Sequence, residues 1–586
     1  MKLCLLDADY IEEKKSSVIR LFCKDDNGKT VICLDYDFEP YFYILPKGGK
    51  ESEVKKRVES IKSIRIKRVE LVEKILSGKK RKFVKVFCLL STDVPKARDI
   101  VKVWKELIEE EYEYSINFYK RYMIDKQIEN WIDVEGKEIK KNYKADKIVK
   151  IEKIKAVHSD ELPELKLMAF DTEVVEEDGK QKIVMLSMKS KNFEKVLTYK
   201  KDKHYGKYVE VLKDEKELLE KFVEYTNEQD CDLLLGFNSD LFDMQIIQQR
   251  ASELKVNLKL SKDFSSLKFS RRARISSARL KGLVHIDLFE FISNVISPQL
   301  QTEVLSLDAV SAELLGDRKI EIEYEEILES WRKGKDLGKL AEYCLKDSDL
   351  TLRLGEFILP QIHELAELSG QLLFDTSRMT YSQLVEWYLS KRAFAMGIII
   401  PNQPKWDEIQ RRRDYSPYTG GFVKEPIGGL HEDIAIMDFR SLYPSLMVTY
   451  NISPEMLNCS CCKKDRYKIP ETEYWFCKKR KGFISSTVEE LIKKRTDIKN
   501  KMDNVKKGSE EWKRLNNEQW VCKILANSSY GYYAFASSKW YCRECALSLA
   551  ALGRFFINKV IHDAEENGFI VLYADTDSCF VKLKDS

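Results

Sequence analysis

Two carboxylates one residue apart, Asp575 and Asp577, stand in the run Tyr573-Ala574-Asp575-Thr576-Asp577-Ser578. The apolar stretch Phe569 to Leu572 leads in, and Cys579-Phe580-Val581 leads out. This pattern predicts a β-hairpin carrying both acids at its tip. Paired acids beside buried strands are costly unless a positive charge lies between them. A divalent cation, which takes carboxylate oxygens, is the natural partner. A lone Asp-x-Asp is also an ordinary turn, so the reading depends on the rest of the chain. A third acid, Asp438, ends the run Ile434-Ala435-Ile436-Met437, which reads as a buried strand. Phe439-Arg440-Ser441-Leu442-Tyr443 follows, and Pro444 starts a helix.

A helical hairpin lies between these acids. Ser485-Ser486-Thr487 before Glu489-Glu490 reads as a helix start, with the helix running to about Lys507 and broken by Gly508. A second helix spans roughly Glu510 to Tyr530. Arg495 and Lys499 are four apart on the first, and Lys523, Asn527 and Tyr530 form one stripe on the second. Three cations, an amide and a tyrosine facing one space suit a triphosphate with its base and sugar. Lys523 sits between Trp520-Val521-Cys522 and Ile524-Leu525-Ala526, so it is expected in an apolar setting.

Earlier in the chain a second set of acids recurs. Leu165 to Phe170 predicts a buried strand that runs into Asp171-Thr172-Glu173, with Asp171 and Glu173 on one side of it. Leu233 to Asn238 predicts another strand, opening a polar turn before Phe242-Asp243. Tyr343 and Asp347 fall on one face of a helix. Four carboxylates and a tyrosine suit a two-metal phosphodiesterase, with the tyrosine hydroxyl orienting the attacking water. Asp287, at the end of Val284-His285-Ile286, reads as structural.

The positioning elements fit a multidomain globular chain. Its 586 residues are 44% hydrophobic and 33% charged, and the formal net charge is only +4. So mild a charge does not by itself indicate nucleic acid. No apolar run is long enough to span a membrane, and the start is too soon acidic for a signal peptide, so the chain is expected to be cytoplasmic. Residues 1–155 read as a small α+β domain. Its strands are Leu3 to Leu6, Val18 to Cys23, Thr30 to Asp35 and Tyr41 to Leu45, with Asn27-Gly28 as a hairpin turn. A helix from Asp93 is expected to carry Ile100, Val101, Trp104, Leu107 and Ile108 on one face, and Lys79 to Lys82 reads as a solvated turn. Helix continues over Gln383 to Met396. In Tyr418-Thr419-Gly420-Gly421 the glycines allow close backbone approach to a ligand, or form an ordinary turn.

In their order, Asp171-x-Glu173, Asn238-x₃-Phe242-Asp243 and Tyr343-x₃-Asp347 resemble the three motifs of DnaQ-like 3′–5′ exonucleases. Asp438 to Ser445, Lys523 to Gly531 and Tyr573 to Ser578 resemble motifs A, B and C of family B DNA polymerases, most closely the archaeal members. Tyr418 to Gly421 resembles the family's DNA-contacting linker. The resemblance implies an α/β and α+β fold: an RNase H-like exonuclease domain, a right-hand polymerase palm and helical fingers. The implied boundaries are 1–155 (with part of 350–395), exonuclease 156–349, palm 396–455, fingers 456–530 and palm 531–586.

It also implies roles. Asp438, the Phe439 backbone and Asp577, with Asp575 beside them, would hold two Mg²⁺ ions. Asp171, Glu173, Asp243 and Asp347 would hold two more, with Mn²⁺ as an alternative metal. Arg495, Lys499 and Lys523 would bind the dNTP triphosphate, Tyr443 would pack under the sugar, and Asn527 and Tyr530 would line the nascent base pair. Primer–template DNA and dNTPs are the implied partners, with a sliding clamp as a further candidate. Family members continue past motif C into a thumb, and the expectation is that this chain carries none. The expectation is therefore the large subunit of a split methanogen-type enzyme, with a second polypeptide supplying the thumb. Tyr10, Pro40, Val94, Phe118 and Arg121 match a uracil-sensing pocket of archaeal members, although Asn117 replaces the usual proline. The alternatives are a stand-alone 3′–5′ exonuclease or a DNA-binding subunit with an incomplete polymerase; the intact acids argue against both. Cys459, Cys461, Cys462 and Cys477 form one group and Cys542/Cys545 another. Zinc ligands, disulfides such as the resemblance implies, and free thiols all stay open.

Overall fold

The computed structural model describes the chain except residues 14, 158, 160–163, 178, 273–274, 321, 416–418, 463 and 584–586. Two compact units are present, Met1–Glu39 with Asn117–Thr380, and Pro40–Ile116 with Tyr381–Ser586.

The first unit opens with a closed barrel of strands Lys2–Glu13, Ser16–Asp25, Thr30–Asp35, Lys147–Ala156 and Trp131–Glu138. Its interior is the set of alternating apolar residues that includes Leu3, Leu5, Ile19, Leu21, Ile132 and Val149. The expected turn is present. The Asp25 carboxylate accepts from the backbone N–H of Asn27 and Lys29, and Gly28 takes φ +72°, a conformation that favours glycine. A six-stranded sheet follows, in the order Val209–Val211, Phe193–Thr198, Lys180–Ser190, Leu167–Glu177, Leu233–Gly236, Val284–Asp287. One face buries Met168, Phe170 and Leu234 against helices Glu215–Glu228 and Asp243–Leu254. The other buries Val175, Val184 and Met185 against Leu337, Leu340 and Cys344 of the long helix Leu337–Ser369. Such a sheet, covered on both sides, is the α/β layering expected from its near-continuous apolar strands.

The second unit contains a sheet ordered Ile66–Leu76, Lys79–Cys88, Tyr41–Pro46, Ile108–Tyr112. Two readings are corrected here. Helix Asp93–Val101 ends earlier than the apolar spacing implied, and Ile108 begins a strand. Trp104 and Leu107 lie in the turn between, yet Val101, Trp104, Leu107 and Ile108 share one core with Val94 and Ala97, and Ile100 packs against it, which is why the spacing misled. Lys79 to Lys82 open a strand, the turn being Ser77-Gly78, and Lys80 and Arg81 pair with Glu73 and Glu109 on the surface.

The sheet that carries the late acids is ordered Val423–Lys424, Phe569–Asp575, Ser578–Leu583, Ile434–Asp438. Helix Arg543–Glu566 packs Ile557, Ile561 and Ala564 on Val571, Ala574, Cys579 and Val581. This corrects the reading that no run is long enough to span a membrane: among the described residues it is the one helix long and apolar enough to do so, and over half of its apolar window is buried inside the protein. Strand Ile434–Asp438 is exposed, not buried as read: Ile436 is 64% accessible. It is the sheet's edge, and the covering helix lies on the two inner strands. The helical hairpin is Phe483–Met502 and Glu510–Ala534. The first helix stops short of Lys507, Gly508 takes φ +85°, and the Ser509 hydroxyl caps the second by accepting from Trp512 N–H.

Candidate active sites

The earlier acids converge in the first unit. Strand Leu167–Glu177 continues through Asp171 and Glu173 instead of ending before them, and both lie on one side of it. Asp243 is the first residue of helix Asp243–Leu254, where a carboxylate faces the positive helix end. Its Oδ1 accepts from the backbone N–H of Thr172 at 3.1 Å, which ties the helix start to the strand between the two acids. Asp347 and Tyr343 come from one face of helix Leu337–Ser369. Oxygen atoms of Asp171 and Glu173 lie within 4.8 Å of each other and of the Cys344 sulfur.

Electrostatics mark this cluster. Burial, then repulsion from Asp347, Asp243 and Glu173, pushes Asp171 well above the usual carboxylate range. Burial and Asp347 push Glu173 up to about 8, and burial pushes Asp243 up to about 6. Such crowding is what a divalent cation relieves. Asp347 Oδ1 is buried with no hydrogen-bond partner among the described residues. Its other oxygen forms an ion pair with Lys319, whose ammonium also donates to the Tyr343 hydroxyl at 3.0 Å. Lys319 and Cys344 were not singled out in the sequence. Neither stands at a motif spacing, and only the tertiary fold brings Lys319 to the acids. Asp287 is structural, as read: its carboxylate accepts from the backbone N–H of Asn238, Asp240 and Phe289.

The later acids converge in the second unit. The hairpin is Phe569–Asp575 and Ser578–Leu583, with Thr576 at φ +52° in the tip. Strand Ile434–Asp438 pairs with its outgoing arm so that Asp438 faces Ser578, and Phe439 N–H donates to the Asp577 carbonyl at 2.8 Å. Burial, then Asp438, then Asp575 raise the Asp577 carboxyl. Asp575 is engaged differently, accepting from the Thr576 hydroxyl at 2.8 Å and the Tyr573 hydroxyl at 3.3 Å.

The glycine pair is placed by the same hairpin. Phe422 carbonyl accepts from Thr576 N–H at 2.8 Å, and a Cβ on Gly421 would stand 2.6 Å from Thr576 Oγ1. Gly421 is therefore required for close approach to the acid tip. Gly420 carbonyl accepts from Arg554 at 2.7 Å. Tyr418 lies outside the described residues.

On the helical hairpin, Arg495 donates from Nε to Gln519 at 3.1 Å and from Nη1 towards Ser441 Oγ at 3.4 Å. Lys499, Lys523 and Asn527 are exposed. Lys523 corrects the expectation of an apolar setting: Val521, Cys522, Leu525 and Ala526 turn to the buried side of the helix while the lysine points out. Tyr443 and Tyr530 stack with ring centroids 4.1 Å apart and planes 11° from parallel. The edge of the Tyr443 ring rests against Gly553, where a Cβ would come within 3.3 Å.

Of the residues matched to a uracil pocket, Tyr10 and Phe118 meet edge to face at 5.5 Å, and Arg121 is buried on the same helix as Phe118. Asn117, the departure from proline, caps that helix by accepting from Tyr119 N–H. Pro40 and Val94 belong to the other unit, each buried there.

Comparison with known proteins agrees with this geometry. The sequence model of DNA polymerase family B matches residues 375–586, and that of the family B exonuclease domain matches residues 109–310. The chain is 37% identical over 588 residues to a DNA polymerase of Pyrococcus glycovorans, covering 99% of this chain and 71% of that one. A DNA polymerase of Archaeoglobus fulgidus is 32% identical over 98% of this chain and 70% of its own length. The solved family B DNA polymerase of Pyrobaculum calidifontis superposes with a TM-score of 0.85 at 28% identity, covering all of this chain and 75% of that structure. Two acid clusters on two folds, in this order and with this coverage, identify the chain as an archaeal-type member of DNA polymerase family B that carries the family's exonuclease domain.

Proposed function

We propose that the chain extends primers with dNTPs on a DNA template at the Asp438/Asp577 site and removes 3′-terminal nucleotides at the Asp171/Glu173/Asp243/Asp347 site, with Mg²⁺ at both. The juxtaposition of Asp438 and Asp577 by main-chain pairing carries this reading. The donor sets fit magnesium: hard carboxylate oxygens, the Phe439 carbonyl and, at the exonuclease site, Asp347 Oδ1, which has no hydrogen-bond partner among the described residues. Bound there, Mg²⁺, or Mn²⁺ in its place, supplies charge neutralisation and a lowered pKa for the attacking oxygen.

The remaining roles belong to the protein. Arg495, Lys499 and Lys523 bind the triphosphate oxygens, with Arg495 aimed by Gln519. Tyr443, held between Tyr530 and Gly553, gives the sugar a flat floor that a 2′-hydroxyl would strike. Asn527 and Tyr530 line the base pair. Gly420 and Gly421 keep the linker backbone low beside the acid tip, where primer–template DNA would pass. At the other site, Tyr343, oriented by Lys319, presents its hydroxyl to the attacking water. The finer domain division (1–155, 156–349, 396–455, 456–530, 531–586) and uracil sensing by Tyr10, Pro40, Val94, Phe118 and Arg121 belong to the same proposal. So does a second, thumb-bearing polypeptide. The exposed apolar edge strand Ile434–Asp438 supports a covering segment. The relatives are longer single chains, which lend no support to its being separate. Co-purification from the source cell tests that element. Asp577→Ala tests the central one: extension is lost while 3′ digestion persists, and surviving extension overturns the assignment.

A further inference from the structure

One side-chain cluster is used by neither active site. Cys459, Cys461, Cys462 and Cys477 lie between the motif A helix Leu442–Thr449 and the first fingers helix Phe483–Met502. Their sulfurs all fall within 4.8 Å of one another. Three of the separations are 3.4, 3.6 and 3.8 Å. These are far beyond a disulfide bond of ~2.05 Å. They match the edge of a tetrahedron whose centre is ~2.3 Å from each sulfur, an edge of about 3.8 Å. A polynuclear iron–sulfur cluster would hold its cysteines much further apart.

The surroundings are built around this arrangement. A short ribbon, Tyr467–Lys468 paired with Trp475–Phe476, carries Cys477 at its end. The Trp475 indole donates to the Cys459 carbonyl, Asn458 N–H to the Trp475 carbonyl, and Cys477 N–H to the Met456 carbonyl. Both cysteine-bearing segments are thus held in register. Cys459, Cys462 and Cys477 are buried, and Cys461 is exposed. A tetrathiolate with a divalent ion carries net negative charge. Arg480 interacts electrostatically with Cys461 and Cys477 and offsets part of that charge, whereas Lys478 and Lys481 are paired with Asp465 and Glu489.

We propose that Cys459, Cys461, Cys462 and Cys477 bind one Zn²⁺ ion as a closed, structural tetrathiolate site. Four S–H protons leave to solvent as four S–Zn bonds form, with no change of oxidation state. The buried amide of Asn451 links this site to the fingers. It donates to the Cys477 and Arg480 carbonyls at 2.7 Å and accepts from Gly482 N–H at 2.8 Å. Gly482 caps the helix that carries Arg495 and Lys499. The ion would therefore fix the base of the fingers relative to motif A.

Elemental analysis of the full chain, purified with zinc in the growth medium and dialysed against EDTA, tests this. The expected result is one zinc per chain, released by a mercurial thiol reagent. Cobalt exchanged into the site should give tetrahedral d–d bands with sulfur-to-cobalt charge transfer. The exposed Cys461→Ser should weaken zinc retention at least tenfold, and Cys462→Ser should abolish it, whereas Cys542→Ser should retain it. Zinc loss should raise the KM for dNTP and leave 3′ digestion unchanged. If Cys462→Ser fails to fold, Cys461→Ser and the cobalt spectrum decide. No stoichiometric zinc with all 14 thiols titrating after denaturation, a thiol count lowered in pairs by disulfides, stoichiometric iron instead, or zinc unaffected by Cys461→Ser would each overturn the proposal.

Discussion

The backbone N–H of Phe439 donates to the carbonyl of Asp577 at 2.8 Å, next to the cross-strand pair Asp438 and Ser578. Asp438 and Asp577 are therefore positioned by main-chain pairing of the strands that carry them. Asp438 also contributes to raising the Asp577 carboxyl, so the pair is repulsive in the metal-free protein. Asp438→Asn should leave the hairpin intact and lower extension by ~10³-fold or more, given how much of phosphoryl-transfer catalysis is electrostatic. The same variant should melt at an equal or higher temperature in EDTA. A large drop in melting temperature would contradict this.

Gly421 and Thr576 should behave as a coupled pair. A Cβ at residue 421 would stand 2.6 Å from Thr576 Oγ1, and overpacking of this kind costs about 1–3 kcal/mol. Gly421→Ala alone should lower extension, and Thr576→Ala added to it should restore part of the loss. A double-mutant cycle on extension rate and melting temperature measures the coupling, and simple additivity would contradict the contact.

Lys319 offsets the charge of the buried acid cluster in the first unit. It pairs with the nearly buried Asp347 and donates to Tyr343. Lys319→Gln should destabilise the metal-free protein by ~3 kcal/mol, the scale for stripping one partner from a buried ion pair. Mg²⁺ should restore most of that loss. Melting curves of both proteins in EDTA and in Mg²⁺ provide the measurement; equal loss in both conditions would contradict the prediction.

His363 supplies a pH dependence remote from either acid cluster. It is buried, its Nε2 lies 2.9 Å from the Asn130 amide nitrogen, and burial lowers its pKa to about 4. A base whose folded pKa is depressed binds fewer protons than in the unfolded chain. Its stability contribution is full above the unfolded value near 6.5 and falls as pH drops towards 4. The amount is on the order of 3 kcal/mol at most. Wild-type protein should lose stability over that window faster than His363→Gln, and parallel pH profiles would contradict the assignment.

Much of this was legible in the sequence, because the acids sit within or at the ends of strongly patterned elements. The hairpin at Asp575 and Asp577 and the four-residue spacing of Tyr343 and Asp347 follow from local periodicity, whereas Asp287 read only as structural and its capping bonds came from the fold. What was not legible depends on which face another element covers. Ile434 to Met437 is apolar enough to read as buried, yet it forms a sheet edge. Lys523 has apolar neighbours in sequence, but the helix turns them away from it. Lys319 and Thr576 carry no spacing signal, since their partners arrive from distant segments. The state of the cysteines stayed open for the same reason. The spacing C-x-C-C followed by a distant cysteine does not show that the four sulfurs cluster until the Trp475 ribbon folds back.

The most direct test of the account follows one labelled primer–template in Mg²⁺, with and without dNTPs, for wild type, Asp577→Ala and Asp243→Ala. Two independent sites predict mirror-image losses: Asp577→Ala digests the 3′ end but does not extend it, and Asp243→Ala extends but does not digest. Extension by Asp577→Ala, or loss of both activities in either variant with the fold intact, would contradict it.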